Sequence, residues 1–212
     1  MRKPSVEFIF DRFFGQINWY TNLLVKVTET ESLELDALEK REIFEAFVLK
    51  IYVAWEVLVE DVVVECLCRD SSQYAEHKTV TLPKKMTRNL CRCLISGLGY
   101  FDFRDTGDLK GWATKILADR QNPFKDVLPD KKIDEFYIIR NYLAHYSDAS
   151  KQSLTRMYRR NYDLSFRGPG DFLLDTVEFV ELGERGKQTR FADYTNAFTK
   201  GAEKMETFFK AT

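Results

Sequence analysis

The sequence predicts an all-α protein, an up-and-down helical bundle with a short β-hairpin near the C-terminus. Apolar residues recur every three or four positions through most of the chain, and the longest such stretches run over 5–28, 35–68 and 191–209. A partial two-residue alternation between 172 and 182 is typical of a strand and stands apart from this helical pattern. Helix therefore dominates the expected fold.

The first two helices follow from the apolar spacing. In 5–28 the inward positions are Val6, Ile9, Phe10, Phe13, Ile17, Tyr20, Leu24 and Val27. In 35–68 they are Phe44, Phe47, Val48, Ile51, Ala54, Trp55, Leu58 and Val62. The β-branched run 62–64 also fits a strand, but its continuity with the helical period before it favours helix. From Val57 onward the helix is apolar nearly all round, which indicates burial between other elements or by a partner subunit.

The middle of the chain predicts two shorter helices separated by connections. The polar residues 70–81 predict a connection, and the apolar spacing in 83–98 predicts a helix. An aromatic loop is expected over 100–103, followed by a second helix over 108–118 that ends before Asn122-Pro123. The first of these helices is expected to end at Gly97 and Gly99. Thr106 or Asp108 is expected to cap the second, and Trp112 and Ile116 are expected to point inward from it.

A helix over about 131–147 follows, with Asp130 as a candidate N-cap. The polar residues that open it are Lys131, Lys132, Asp134 and Glu135. On a wheel of about 100° per residue, one face is apolar and is expected to point at a core; its residues are Phe136, Ile139, Leu143 and Tyr146. The helix is expected to break near 147–150, before a short basic helix over about 150–160.

Length and composition describe an ordinary globular protein. At 212 residues the chain is expected to form one domain, with a core over about 5–160 and a C-terminal extension, 161–212, packed on it. The 32 basic and 33 acidic residues nearly cancel, which excludes a global basic field for nucleic acid but not a local patch. The most apolar run, 51–67, carries four carboxylates and cannot span a membrane, and no signal peptide is recognisable. A cytoplasmic protein is expected.

The four cysteines form two C-x-C pairs, Cys66/Cys68 and Cys91/Cys93. Such pairs invite a zinc interpretation, with His77 as a further ligand. Both pairs lie on or near predicted helices, however, where residues two apart point in different directions and cannot easily chelate one ion. Reduced, largely buried thiols are the favoured interpretation, and we expect neither a metal nor another cofactor.

The predicted helix over 131–147 carries three polar residues away from its apolar face. Asn141 and His145 are four residues apart and share a face, while the long side chain of Arg140 can swing towards His145. Taken alone, these residues suit any solvated helix face. Their order along the chain, Arg-Asn-x-x-x-His, also allows a functional interpretation.

This segment resembles the R-x4-6-H motif of the HEPN superfamily, and the residues 140–147 are most similar to its RiboL-PSP-HEPN branch. A second stretch, 51–60, resembles the tyrosine, alanine, tryptophan-glutamate pattern on the long second helix of those proteins. The resemblance covers about 5–160. It implies a HEPN-like bundle, a metal-independent endoribonuclease that leaves a 2′,3′-cyclic phosphate and a 5′-hydroxyl, and a homodimer in which two copies of the motif line one composite cleft.

The residue types suit that chemistry. Histidine moves protons near neutral pH because its unperturbed pKa is about 6.5. Arginine stays charged and offers a planar fork of donors to phosphate oxygens, and the amide of Asn141 can orient either partner. Arg140, His145 and Asn141 are therefore the candidate catalytic residues, with Ile138 and Tyr142 as candidate dimer-interface residues.

Two further residues are candidates for a supporting role. Glu56, within the second resembling stretch, is expected either to pair with Arg140 and fix its guanidinium or to form a structural ion pair. Ser147 stands where some HEPN toxins carry a tyrosine that an antitoxin nucleotidyltransferase modifies, so that mode of control is not supported.

The segment after the motif predicts an RNA-binding surface. Its cations Lys151, Arg156, Arg159 and Arg160, followed by Arg167, are interleaved with the rings of Tyr158, Tyr162 and Phe166. Cations suit the RNA backbone and rings suit its bases. A solvated basic helix remains the alternative, and it is favoured for a second basic group composed of Lys84, Lys85, Arg88 and Arg92.

Three functional hypotheses follow. The first is a ribonuclease of a prokaryotic toxin–antitoxin or anti-phage defence system, with RNA as substrate and an antitoxin or another defence protein as partner. The second is a non-catalytic HEPN-type module that dimerises and binds RNA or a nucleotide for a partner protein. The third is a helical scaffold in which the motif occurs by chance, which a monomer with an isolated His145 would indicate.

Overall fold

The computed structural model describes residues 5–29, 35–96, 103, 105–128, 130–181 and 184–211. It is 77% helical and has a two-stranded hairpin near the C-terminus, which confirms the predicted all-α class and the hairpin. The helices are α1 (Val6–Glu29), α2 (Ala37–Arg69), α3 (Ser72–Lys78), α4 (Arg88–Ser96), α5 (Thr106–Ile116), α6 (Lys131–His145), α7 (Asp148–Tyr162), α8 (Pro169–Leu174) and α9 (Arg190–Ala211). Strands β1 (Thr176–Glu181) and β2 (Glu184–Thr189) lie between α8 and α9. No helix in these described ranges is long and apolar enough to cross a membrane.

The chain forms two compact units. The first comprises Met1–Phe13, Trp55–Lys131 and Lys200–Thr212, and the second comprises Phe14–Ala54 and Lys132–Thr199. The predicted C-terminal extension, 161–212, contributes buried side chains to both units.

The first unit is built around the apolar half of α2. Val62, Val63 and Val64 are helical and almost fully buried, so the helical interpretation of this run is confirmed. Asp61 lies on the same helix and is 4% exposed. Burying a carboxylate is costly unless it is paired. Its partners are the guanidinium groups of Arg12 at 2.5 Å, Arg88 at 2.9 Å and Arg92 at 2.7 Å.

The second unit has an aromatic core. Phe136 of α6 is fully buried, and its ring centroid lies 5.0 to 6.5 Å from those of three rings on α9: Phe191, Tyr194 and Phe198. Ile139 and Leu143, one and two turns further along α6, are also buried. Truncating a buried phenylalanine to alanine typically costs about 3–5 kcal/mol. The apolar face of α6 therefore fixes that helix firmly within the unit.

The hairpin pairs β1 with β2 in antiparallel register, with Phe179 opposite Gly186. A Cβ atom at Gly186 would lie 2.6 Å from the Phe179 ring, so the ring covers this glycine and a larger residue would displace it.

Several predicted boundaries were wrong. The polar connection 70–81 contains α3, which buries only Tyr74 and therefore leaves no apolar period to detect. The helix predicted over 83–98 begins at Arg88, because Pro83 interrupts the segment and the Thr87 hydroxyl accepts a hydrogen bond from the Leu90 amide at 3.3 Å.

Helix α5 also begins earlier than predicted. Its N-cap is Asp105, which accepts from the Asp108 amide at 2.7 Å, so Thr106 and Asp108 lie in the first turn instead. Residues 172–174 belong to α8 and precede the hairpin rather than entering it. Gly97, Gly99 and the loop from 100 lie outside the described residues, apart from Phe103.

Candidate functional site

Helices α6 and α7 meet at a two-residue connection. Helix α6 ends at His145, and Tyr146 adopts a left-handed backbone with φ of 45° while its amide donates to the Tyr142 carbonyl at 2.8 Å. Ser147 then caps α7 with a capping box, because its hydroxyl accepts from the Ser150 amide at 3.2 Å and the Ser150 hydroxyl accepts from the Ser147 amide at 3.1 Å. The chain therefore turns sharply at the predicted motif.

Arg140 is held in place by an aromatic ring. Its guanidinium carbon lies 5.2 Å from the centroid of Tyr52, a buried residue of α2, and its Nη1 lies 3.5 Å from the Asn141 side-chain oxygen. The Tyr52 ring is packed in turn against Tyr137 and Phe198. A cation–π contact of this kind contributes about 0.5–2 kcal/mol. Stacking uses the face of the guanidinium, whereas its N–H donors project from the edge.

His145 is exposed, and Asn141 lies one turn earlier and is half-buried. Residues four apart on a helix have Cβ atoms about 5–6 Å apart, so the amide and the imidazole are neighbours. The structure thus places Arg140, Asn141 and His145 on the last turns of one helix, as predicted from the sequence. Each residue type suits one part of phosphodiester chemistry: a planar cation binds phosphate oxygens, an amide forms hydrogen bonds and an imidazole transfers protons.

The supporting residues are placed differently. The hydroxyl of Ser147 serves as the N-cap of α7, which gives it a structural role at the edge of the candidate site. Glu56 is half-buried in the first unit, and its pairing with Arg140 stays a prediction.

Tyr146 is not a core residue, and the prediction that it lies on the apolar face of the helix was wrong. It is 65% exposed because α6 ends one residue earlier and the left-handed turn moves its side chain off the buried stripe. Partial burial of the hydroxyl, followed by the nearby carboxylates Glu45 and Glu42, raises the pKa of Tyr146.

The Tyr146 ring begins an array of three rings. Tyr142 lies 5.2 Å from Tyr146 and 5.8 Å from Phe166, both edge to face, and the Lys151 ammonium lies 4.8 Å from the Phe166 centroid. We call Tyr146, Tyr142 and Phe166 the ring array. It lies at the α6–α7 connection and includes the residue directly after His145.

The cations of α7 form a basic face. Arg156, Arg159 and Arg160 are exposed and point away from the buried side of the helix, which carries Leu154 and Met157. Among the described residues, no carboxylate lies within ion-pair distance of these three arginines. They therefore form a local positive surface on a chain whose net charge is close to zero.

Other residues predicted alongside this surface have structural roles. Tyr158 is fully buried and Tyr162 donates to a buried carboxylate, so neither ring is presented to a ligand. Arg167 forms two hydrogen bonds of 3.0 Å to the Asp175 carboxylate. Arg88 is 8% exposed and binds Asp61 and Glu65, so the second basic group is not a uniform solvated face.

Sequence reasoning missed the most buried ionisable residue of α6. Glu135 is 3% exposed, and its carboxylate accepts from the Asn161 amide at 2.7 Å, the Tyr162 hydroxyl at 2.5 Å and the Tyr194 hydroxyl at 2.7 Å. Burial, followed by the hydrogen bond to Glu135, raises the pKa of Tyr162 to about 12. Burial and the Glu135 charge raise the pKa of Tyr194 further. A usable signal was present, because Glu135 lies four residues before Ile139 and so on the same face.

The cysteines are free thiols in the first unit. The Sγ atoms of Cys68 and Cys91 lie 3.4 Å apart, and burial raises the pKa of Cys91 to about 12. Cys93 is exposed, contrary to the expectation of largely buried thiols. Across the described ranges, no group of three or more His, Cys, Asp or Glu side chains is arranged to hold a metal ion.

Comparisons with protein-family models, with curated proteins and with solved structures each returned no match. The resemblance of 51–60 and 136–147 to the HEPN pattern therefore stays a prediction. A functional hypothesis therefore rests on the residues at the α6–α7 connection and on their geometry.

Proposed function

We propose that this protein is a metal-independent endoribonuclease of HEPN type, with Arg140 and His145 as its catalytic residues. One observation carries the proposal: the Arg140 guanidinium lies over the ring of Tyr52 from α2, and Arg140 is on the same helix that ends at the exposed His145. A catalytic group must be held in a defined position to stabilise a transition state, whereas a solvated surface arginine has no such support.

The reaction needs no redox partner. The 2′-hydroxyl of one nucleotide attacks the adjacent phosphorus, the bond from phosphorus to the 5′-oxygen breaks, and the products are a 2′,3′-cyclic phosphate and a 5′-hydroxyl. One proton leaves the attacking hydroxyl and one is added to the departing oxygen. Histidine suits both transfers, as base when neutral and as acid when protonated.

Arg140 is assigned to the phosphate. Negative charge builds on the non-bridging oxygens as the 2′-oxygen approaches, and the edge donors of a guanidinium match two such oxygens. The guanidinium carbon lies over the Tyr52 ring, 5.2 Å from its centroid, and this contact restricts the position of the group before the substrate binds. Asn141, in contact with Arg140 through its side-chain oxygen, is assigned to hold that orientation.

The complete site is proposed to lie between two copies of the chain. In an in-line displacement the attacking 2′-oxygen and the departing 5′-oxygen lie on opposite sides of the phosphorus, so two histidines, one on each side, can act as base and acid in one event. A two-fold axis beside α6 would bring both copies together, with Ile138 and Tyr142, both half-buried in the single chain, at the contact.

The biological setting is proposed from the HEPN resemblance. An endoribonuclease that cuts the RNA of its own cell is harmful unless it is restrained, and a toxin–antitoxin or anti-phage defence system supplies a partner that can restrain it. An antitoxin that covers His145 or separates the two copies would suffice.

The test is a ribonuclease assay with purified protein in excess EDTA. We expect wild type to cleave and both His145→Ala and Arg140→Ala to lose at least about 100-fold in rate, the usual contribution of an acid–base group or a charge-stabilising donor. Arg140→Lys keeps the charge but loses the planar fork, and is expected to recover little activity. Arg120→Ala, which removes an arginine that is 81% exposed in the first unit, is the matched control.

The products and the oligomeric state complete the test. Fragments should carry a 5′-hydroxyl that polynucleotide kinase phosphorylates directly, and light scattering should show a dimer. Cleavage that survives both substitutions would mean that the site lies elsewhere. RNA binding by a dimer that does not cleave would favour the non-catalytic binding module instead.

A further inference from the structure

We propose that the ring array of Tyr146, Tyr142 and Phe166 is a nucleobase-binding platform that directs unpaired RNA to His145. This inference rests on the proposed function, because it assigns the substrate of that site. Its outermost residue, Tyr146, is one that the sequence pattern placed in the core and that the structure places in solvent.

The conformation of Tyr146 is the first observation. Among the described residues, the non-glycine residues with positive φ are Thr79, Tyr146 and Asp163. Aspartate adopts this region readily, whereas it is unfavourable for a bulky residue, and glycine is the usual choice just after a helix. The chain thus holds a large ring in an unfavourable backbone conformation without burying it, so the ring's contribution to folding does not explain its presence.

The packing of the array is the second observation. Tyr146 rests edge to face on Tyr142, which rests edge to face on Phe166. The Tyr146 ring is therefore supported by Tyr142, while the residue as a whole is 65% exposed. A flat, supported and exposed ring suits stacking by a planar ligand, since every nucleobase has a π-face.

The charges around the array favour a nucleotide over an uncharged ligand. Lys151 lies over Phe166 at one end of the array, and the basic face of Arg156, Arg159 and Arg160 continues along the same helix. Glu45 and Glu42 lie near Tyr146, so the phosphates are expected on the side of Lys151. The bases of a duplex are already stacked on each other, and only an unpaired base can lie on an external ring.

The test separates binding from cleavage by using the His145→Ala variant throughout. Fluorescence anisotropy is measured with a short labelled single-stranded RNA and with the same RNA annealed to its complement. Adding Tyr146→Ala should weaken single-strand binding by about 5- to 150-fold, the range typical for loss of one base–ring stack. Tyr146→Phe should recover most of that loss, because it keeps the ring. Phe8→Ala removes a ring that is 54% exposed on α1 and serves as the matched control.

The outcomes are distinguishable. If wild type cleaves RNA but Tyr146→Ala binds single strands as tightly as its parent, the platform is wrong and the proposed function stands. If Tyr146→Ala turns a dimer into a monomer in light scattering and Tyr146→Phe restores the dimer, the array is a contact between two copies and the platform is again wrong. If wild type neither cleaves nor binds RNA, the proposed function fails and the platform fails with it.

Discussion

Replacing Glu135 tests the buried network that links α6 to α7 and α9. Glu135→Ala removes the acceptor of three side-chain donors, those of Asn161, Tyr162 and Tyr194. A buried donor left without a partner costs about 1–3 kcal/mol, and a hydrogen bond to a charged acceptor contributes about 1.5–3 kcal/mol. Since Tyr194 is fully buried and the other two donors are partly accessible to water, we expect a loss of about 3–5 kcal/mol.

Glu135→Gln separates hydrogen bonding from charge. Tyr162 and Tyr194 both donate to one carboxylate oxygen, and the amide oxygen of glutamine can take that position. The glutamine NH₂ then faces Asn161, whose side-chain amide has to turn over to offer its oxygen. All three contacts are retained in weaker, neutral form, so we expect a loss of about 1–2 kcal/mol.

The measurement is urea unfolding at neutral pH, with free energies taken from the midpoints and slopes. Glu203→Ala is the control, because this exposed glutamate of α9 is expected to change stability by no more than about 0.5 kcal/mol. A Glu135→Ala variant within about 1 kcal/mol of wild type would refute the reasoning. A Glu135→Gln variant as unstable as Glu135→Ala would show that the charge, and not the set of hydrogen bonds, is what the fold needs.

Three further predictions follow from the structure. Tyr146→Gly should be more stable than Tyr146→Ala by about 1 kcal/mol in urea unfolding, because glycine adopts the left-handed backbone without the steric cost that alanine has. Equal stabilities would contradict the left-handed conformation at this position. Above pH 10 the free energy of unfolding should fall by about 1.4 kcal/mol per pH unit for each of Tyr158 and Tyr194. The pKa values of both hydroxyls are raised in the folded protein, so the unfolded chain loses these protons first. Tyr158→Phe should therefore reduce the slope of unfolding free energy against pH by about 1.4 kcal/mol per pH unit. At pH 8 an alkylating reagent should label the exposed Cys93 well before Cys91, whose pKa is raised to about 12, and equal rates by mass spectrometry would contradict its burial.

The long helices could be predicted because each contains several turns of regular apolar spacing, which makes the signal insensitive to any one residue. The position at which α6 ends could not be predicted in this way. Its last predicted core position, Tyr146, lies in a left-handed turn where a glycine would have signalled the stop, and the sequence has a tyrosine there. The consequence is that a residue predicted to be buried is part of the candidate site.

The placement of Arg140, Asn141 and His145 on one helix could be predicted from the sequence, whereas the contacts around them could not. Arg140, Asn141 and His145 lie within six positions of each other, but Tyr52, which orients Arg140, lies 88 positions earlier in the chain. The partners of Glu135 lie 26, 27 and 59 positions away. The position of Glu135 on the face of Ile139 indicates burial, but the donors that satisfy its carboxylate come from distant parts of the chain and are not visible in the local sequence.

The connection between α6 and α7 has a consequence for how its length can vary. Two residues join helices that are anchored on either side by Leu143 and Leu154, both buried. An added residue can loop out into solvent, but a deleted one would leave too little chain for the turn, so the adjoining turn of α6 or α7 would have to unwind and Lys151 would be displaced from Phe166. Among natural variants of this chain, insertions should therefore be tolerated between His145 and Ser147 and deletions should be absent, although the segment is exposed.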